Sequence, residues 1–454
     1  MCSTRWLLPL AVVVSTFAGE PAALPVPNAQ QLAWQRHEFI AFAHFGINTF
    51  TDREWGEGTE DPRLFNPTDF DALQWAAVLQ EAGIKLLILT AKHHDGFCLW
   101  PSKLTEHCVR NSPWRDGKGD VVREVVDALR EKRIQVGLYL SPWDRNQPTY
   151  GDSPRYNEFF RNQLRELLTN YGAVDEVWFD GACGEGPNGK QQVYDWPACY
   201  ATVRELQPRA LIAICGPDIR WVGNESGVAR ENESSVVERD GGLAWHPAEC
   251  DVSIRPGWFY HASQDAQVKS LATLADIYFK SVGRNSVLLL NIPPDRRGRI
   301  ADPDVARLKE FGAFIRGLYA TDFARTATVK ASSQHGPAAG ARQLTDGRLD
   351  TAWTPAEGQT TGSVEFDLGQ ARTFNVARIQ EVIALGERVR AYHVDAWDGD
   401  EWRRITDGKV IGQKQLCRFP ETTTQRVRLV IDDAAAAPAI AEFGLHLNAF
   451  ASAR

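Results

Sequence analysis

At 454 residues the chain is longer than one average domain and fits one large domain plus a smaller one. Hydrophobic residues at 43% and charged residues at 24% allow a sizeable core and exclude a disordered chain. A net charge of −8 argues against nucleic acid, whose binding needs a basic surface.

The first element is a targeting segment. Arg5 precedes the apolar run 6–14, and small residues follow at Thr16, Ala18 and Gly19. The pattern predicts a signal peptide over 1–19, and with it a secreted or periplasmic protein; an uncleaved anchor is the alternative. No later run is long and apolar enough to span a bilayer. Seven cysteines remain after Cys2, an odd and scattered set, with Cys98–Cys108 and Cys183–Cys199 as conceivable pairs. No CxxC occurs, which argues against a cysteine zinc site.

Over residues 32–318, apolar strands alternate with helical stretches. Strands are predicted at 39–46, 85–90, 135–140, 174–180, 211–215 and 287–291. Helical spacing of Val121, Val122, Val125, Val126 and Leu129 predicts a helix over 120–132, and another lies at 156–168. Short apolar strands between helices mean a parallel sheet buried on both faces, and the length favours a (β/α)8-like barrel. Beyond residue 322 the helical period stops. Alternating segments at 362–369, 390–397 and 425–431 predict an all-β sandwich to residue 454.

In a barrel the chemistry sits at the C-terminal ends of the strands. Those ends carry His44, then His93 and His94, then Tyr139, then Trp178 and Asp180, with Glu54 and Trp55 on the first loop. Asp180 is either a nucleophile in a partly desolvated pocket or the N-cap of the next helix. The two adjacent histidines suit hydroxyl binding better than metal binding, because neighbours on a strand face opposite ways. His-x-His on the first strand and HExxH are both absent, so neither a metal nor a cofactor is expected. The 15 tryptophans suit a sugar binder, since indole rings lie flat on sugar C–H faces.

These segments resemble glycoside hydrolase family 29, the α-L-fucosidases. The likeness rests on His44-Phe45-Gly46, Glu54-Trp55-Gly56, Lys92-His93-His94-Asp95-Gly96-Phe97, Val177-Trp178-Phe179-Asp180-Gly181, Gly223-Asn224-Glu225 and Arg255-Pro256-Gly257-Trp258. The resemblance implies a fucosidase with Asp180 as nucleophile. It also implies a fucose pocket lined by His44, Glu54, Trp55, His93, His94, Tyr139 and Trp178 and closed by Arg255 and Trp258. Glu225 matches the acid/base of the branch that cleaves α1,3- and α1,4-linked fucose from Lewis-type glycans, with Glu231, Glu233 and Glu238 as nearby rivals. Asp218 and Arg220 are either contacts to the next sugar or a structural ion pair. The stretches 346–353 and 364–369 resemble a discoidin-like (F5/8 type C) domain, which either binds sugar or buttresses the barrel. Fucosylated glycans are the expected partners. A broad-specificity fucosidase and a non-catalytic fucosyl-glycan-binding protein are the alternatives.

Overall fold

The computed structural model describes residues 24–448, so the predicted signal segment lies outside the described residues. Strands β1 (Phe39–Ala43), β2 (Leu86–Lys92), β3 (Gln135–Leu140), β4 (Glu176–Phe179), β5 (Leu211–Ile214) and β6 (Arg220–Trp221) follow in chain order. An antiparallel hairpin, β7 (Val236–Arg239) with β8 (Gly242–Trp245), interrupts the series before β9 (Ala248–Ser253) and β10 (Val287–Asn291). Eight of these strands form one parallel sheet in the order β5-β4-β3-β2-β1-β10-β9-β6. Its edges meet at a parallel bridge between Ala213 and Ile219, so the barrel is nearly closed.

The local reasons are plain. Leu86–Lys92 is buried at every position, as a strand between two layers must be. The helix Val121–Glu131 starts where Asp120 accepts the Arg123 N–H, and its valines and Leu129 face inward. Two barrel strands escaped the sequence reading. β6 has only two residues, and β9 reads as polar because Glu249 and Asp251 sit on it. Both carboxyls are buried, and burial of carboxyls is what apolar periodicity cannot announce.

The second domain is antiparallel. Strands β11 (Thr328–Ala331), β12 (Gly362–Glu381), β13 (Val389–Trp397), β14 (Trp402–Gly408), β15 (Gln415–Ala434) and β16 (Ile440–His446) form one sheet ordered β11-β12-β15-β13-β14, with β16 on β12. Its core gathers Trp353, Phe366, Phe374, Leu429 and Phe443. Polar contacts fasten it to the barrel. Lys414 Nζ meets Glu38 at 2.6 Å, the Gln413 N–H donates to Asn285 Oδ1 at 2.7 Å, and Arg418 pairs with Asp276 at 2.9 Å. Glu387 Oε1 accepts from the Ser235 N–H at 2.8 Å and from Asn285 Nδ2 at 2.6 Å.

The seven cysteines among the described residues are all free, including both conceivable pairs. No described helix is long and apolar enough to cross a membrane.

Candidate active site

A cavity of about 350 Å³ opens at the C-terminal ends of the barrel strands. Its wall includes His44, Trp55, His93, His94, Tyr139, Trp178, Asp180, Glu225 and Trp258. The strand-end residues therefore converge, as the barrel geometry requires.

Asp180 follows β4 and is held from two sides. Its Oδ2 accepts the Tyr139 hydroxyl at 3.0 Å, and its Oδ1 accepts the Ala182 N–H at 2.7 Å. It caps no helix: the next one, Trp196–Leu206, is capped by Asp195. Its carboxylate retains 25% exposure and faces the cavity.

The histidines are neutral acceptors. His44 Nδ1 lies 2.8 Å from Asn291 Oδ1, which can only accept, so the proton sits on Nδ1 and Nε2 is left as an acceptor. His94 Nδ1 lies 2.7 Å from Ser141 Oγ, whose own proton goes to the Trp143 carbonyl. That arrangement again leaves Nε2 bare. Burial pulls both rings down to about 4 and holds His93 well below its ordinary value. His94 Nε2 stands 4.0 Å from Asp180 Oδ2. This contact is no ion pair near neutrality, because the ring is uncharged. Two bare imidazole nitrogens beside a carboxylate are suited to accept hydroxyl protons.

Below them lies a buried acid pair. Glu176 and Glu249 face each other across the barrel interior. Trp34 Nε1 donates to Glu176 at 2.9 Å, and Trp178 Nε1 donates to Glu249 at 2.8 Å. Their other oxygens, Glu176 Oε1 and Glu249 Oε2, meet no N–H or O–H donor. Burial raises both carboxyls, so a proton is retained between them and Trp178 is held from beneath.

The opposite wall comes from loops. Trp258 donates from Nε1 to Glu225 Oε2 at 3.2 Å, and its ring lies 5.1 Å from that of His44. Asn291 Nδ2 fixes the Trp258 carbonyl at 2.8 Å. Glu225 lies at the exposed rim. Its rivals do not line the cavity: Glu233 is buried against Arg220, Glu231 is exposed near Arg284, and Glu238 lies on the hairpin.

Four expected pocket residues stand behind the wall instead of in it. Glu54 accepts from the Trp258 N–H at 2.7 Å, the Phe259 N–H at 3.3 Å and His261 Nε2 at 2.6 Å, and so carries the loop that carries Trp258. A side chain at Gly257 would strike the Glu54 carboxylate. Arg255 is fully buried against Asp304 at 2.8 Å and Asp265 at 2.9 Å. Asp218 accepts from the Ile212 N–H at 2.7 Å and pairs with Arg204, while Arg220 pairs with Glu233. The structure thus places Asp218 and Arg220 in separate ion pairs within the frame, away from the cavity.

Sequence reasoning missed Phe42, Ile214, Trp221 and Asp251, which also line the cavity. Asp251 and Trp221 belong to the strands that were not foreseen. Among the described residues no group of three or more His, Cys, Asp or Glu could hold a metal ion.

Residues 27–318 match the alpha-L-fucosidase family, and residues 328–443 match the F5/8 type C domain. The chain belongs to the alpha-L-fucosidase family. It is 42% identical to alpha-L-fucosidase 1 of Arabidopsis thaliana, over 94% of this chain and 88% of that protein. The crystal structure of SpGH29 superposes with a TM-score of 0.89 at 41% identity, covering 94% of this chain and 98% of the other. A Ruminococcus gnavus GH29 fucosidase solved with fucose gives 0.88 at 33% identity, over 95% and 97% of the two chains. The enzyme is an α-L-fucosidase of glycoside hydrolase family 29, built as a barrel with an F5/8 type C domain behind it.

Proposed function

We propose that the enzyme is a retaining exo-fucosidase that removes terminal α1,3- and α1,4-linked fucose from Lewis-type glycans. The observation that carries this reading is the pairing, in one cavity, of a buttressed carboxylate and a rim carboxyl, Asp180 and Glu225. Fucose sits with its hydroxyls on the His44 and His94 acceptors. Trp258 lies against its C5 methyl group, where a hydroxymethyl group would crowd the indole.

Asp180 attacks the anomeric carbon while Glu225 gives its proton to the departing oxygen, leaving a fucosyl ester on Asp180. Water then attacks that ester, and Glu225 takes the water's proton. Such a double displacement needs the two carboxyls about 5–5.5 Å apart. The Tyr139 hydroxyl donates to Asp180 Oδ2 and so steadies the carboxylate.

The linkage preference is supported by the Gly223-Asn224-Glu225 resemblance to that branch. Export is proposed on the N-terminal segment, and mass spectrometry of the mature protein would find its cleavage near residue 19.

Hydrolysis of a Lewis-type trisaccharide, an α1,2-fucosylated oligosaccharide and an aryl fucoside tests the reading, with NMR following the anomer released first. We expect α-fucose as the first product, mainly from the Lewis trisaccharide. First release of β-fucose would overturn retention, and preference for the α1,2 substrate would overturn the branch.

A further inference from the structure

We propose that Asp251 is a positioning residue for the acid/base: one residue fastens both ends of the segment that carries Glu225. The proposal rests on the reading of Glu225 as acid/base.

The segment runs from Trp221, at the end of β6, to Gly227. At its start, Trp221 Nε1 donates to Asp251 Oδ1 at 2.7 Å. At its end, the Gly227 N–H donates to the Asp251 carbonyl at 3.1 Å. Gly227 has φ +71°, and a side chain there would meet Val252 and Ile277 within 2.9 Å. The chain therefore seats against β9 at a point where only glycine fits. Between the two ends the segment organises itself. Asn224 Oδ1 accepts the Ser226 N–H at 3.1 Å, and Asn224 Nδ2 donates to the Val228 carbonyl at 2.8 Å. Glu225 itself is exposed, and its carboxylate accepts from Trp258 Nε1 at 3.2 Å. So long and solvent-facing a bond fixes little by itself. The position of the Glu225 carboxyl is set by the ends of its segment.

Asp251 is 5% exposed and lies in the cavity wall, in the field of Asp180 and Glu225. Burial first, and those charges after it, push its carboxyl up to about 7. A third carboxyl in such a place opposes stability, and its acceptor role toward Trp221 is the structural work it performs there.

The function of this clamp follows from when a general acid matters. A poor leaving group needs the proton, whereas an activated phenolate leaves without much help. A misplaced Glu225 therefore harms glycan cleavage more than cleavage of an activated aryl fucoside. Asp251→Ala removes the acceptor, while Asp251→Asn keeps a side-chain oxygen that can still take the indole proton.

The test is kcat/KM of both variants on a fucosylated disaccharide and on 2-chloro-4-nitrophenyl α-L-fucoside, with Trp221→Phe and Glu225→Gln beside them. Asp251→Ala is expected to lose about 30-fold on the disaccharide and about threefold on the aryl fucoside, within the range of general-acid effects. Asp251→Asn should recover most of the disaccharide loss, and Trp221→Phe should match the Asp251→Ala pattern. Equal losses on both substrates, or no difference between the Ala and Asn variants, would overturn the proposal. If Glu225→Gln shows no leaving-group dependence, the acid/base reading itself fails. If Glu225→Gln shows it and Asp251→Ala does not, Asp251 alone loses its role.

Discussion

The two walls of the cavity are built on different principles. One comes from the ends of β1 to β4 and is buried, with His44, His93 and His94 almost without solvent and Tyr139 fully enclosed. The other comes from the excursions after β6 and β9, and it keeps water. Trp221 is 42% exposed there, and Glu225 sits at the rim. The first wall suits a sugar of one fixed shape, because neutral imidazoles and a pinned carboxylate leave little to rearrange. The second is more open, and its groups are held by loops. Strand ends thus supply the buried part of the cavity wall, and segments tied to them supply the exposed part.

The largest effect is expected from removing the pinned carboxylate. Asp180→Asn keeps the shape and an acceptor for the Ala182 N–H, turns an amide NH2 toward the Tyr139 hydroxyl, and cannot form the ester. We expect kcat to fall on the order of 10⁴-fold or more on every fucoside, as for the loss of other nucleophiles. Retained turnover, measured by fucose release, would move the nucleophile elsewhere.

Glu225→Gln probes the loop wall. Glycan cleavage should fall about 10²- to 10⁴-fold, and an activated aryl fucoside much less. Azide added to that variant should restore turnover of the aryl substrate by taking the place of the activated water. A uniform loss on both substrates would contradict a leaving-group role for this wall.

The buried wall carries a pH signature in stability. His44 and His94 titrate near 4 in the fold but near 6.5 in the unfolded chain. Above 6.5 neither state is charged, so the rings have no effect. As pH falls from 6.5 to 4 the unfolded chain takes up protons that the fold refuses. Stability drops across that window, by at most about 3 kcal/mol for each ring. Asp95 and Asp251, both pushed up to about 7 by burial, act with the opposite sense. The unfolded chain sheds their protons from about pH 4 upward while the fold keeps them, so they lower stability as pH rises toward 7. Denaturant titrations of wild type and His94→Gln should therefore diverge below pH 6.5, with the variant losing less. Parallel curves would show that His94 is not held neutral.

The smallest effect expected is at Glu54, which holds the Trp258 loop from behind. Glu54→Gln keeps the size but weakens charge-assisted bonds to two N–H groups and His261. KM should rise about three- to tenfold with a smaller change in kcat, corresponding to roughly 1 kcal/mol of lost orientation. A larger fall in kcat than in affinity would instead bring Glu54 into contact with the reacting sugar.

The same contrast governs what the sequence discloses. The buried wall was readable because apolar strands announce their own ends, and His44, His93, His94, Tyr139 and Asp180 fall at those ends. The loop wall was only partly readable. Glu225 and Trp258 came from resemblance to a family, not from spacing. Asp251 and Trp221 were missed because β9 places carboxyls where a strand is expected to be apolar, and β6 is too short for any period. Arg255 and Glu54 could be assigned to the neighbourhood, but a sequence does not distinguish a group that faces a cavity from one that faces the back of its wall.

The joint between barrel and sandwich has a consequence for how such proteins can be recombined. Lys414 is enclosed against Glu38 beside the first barrel strand, and Asn285 both gives and receives hydrogen bonds across the boundary. Cutting the chain after the helix Asp302–Ala320 would leave those partners stranded on the barrel's flank. Fusing a foreign module there would do the same unless it brought its own cation and amide partners to the same places. The second domain behaves as a keyed part, and exchange between relatives would succeed only where both halves of the key travel together.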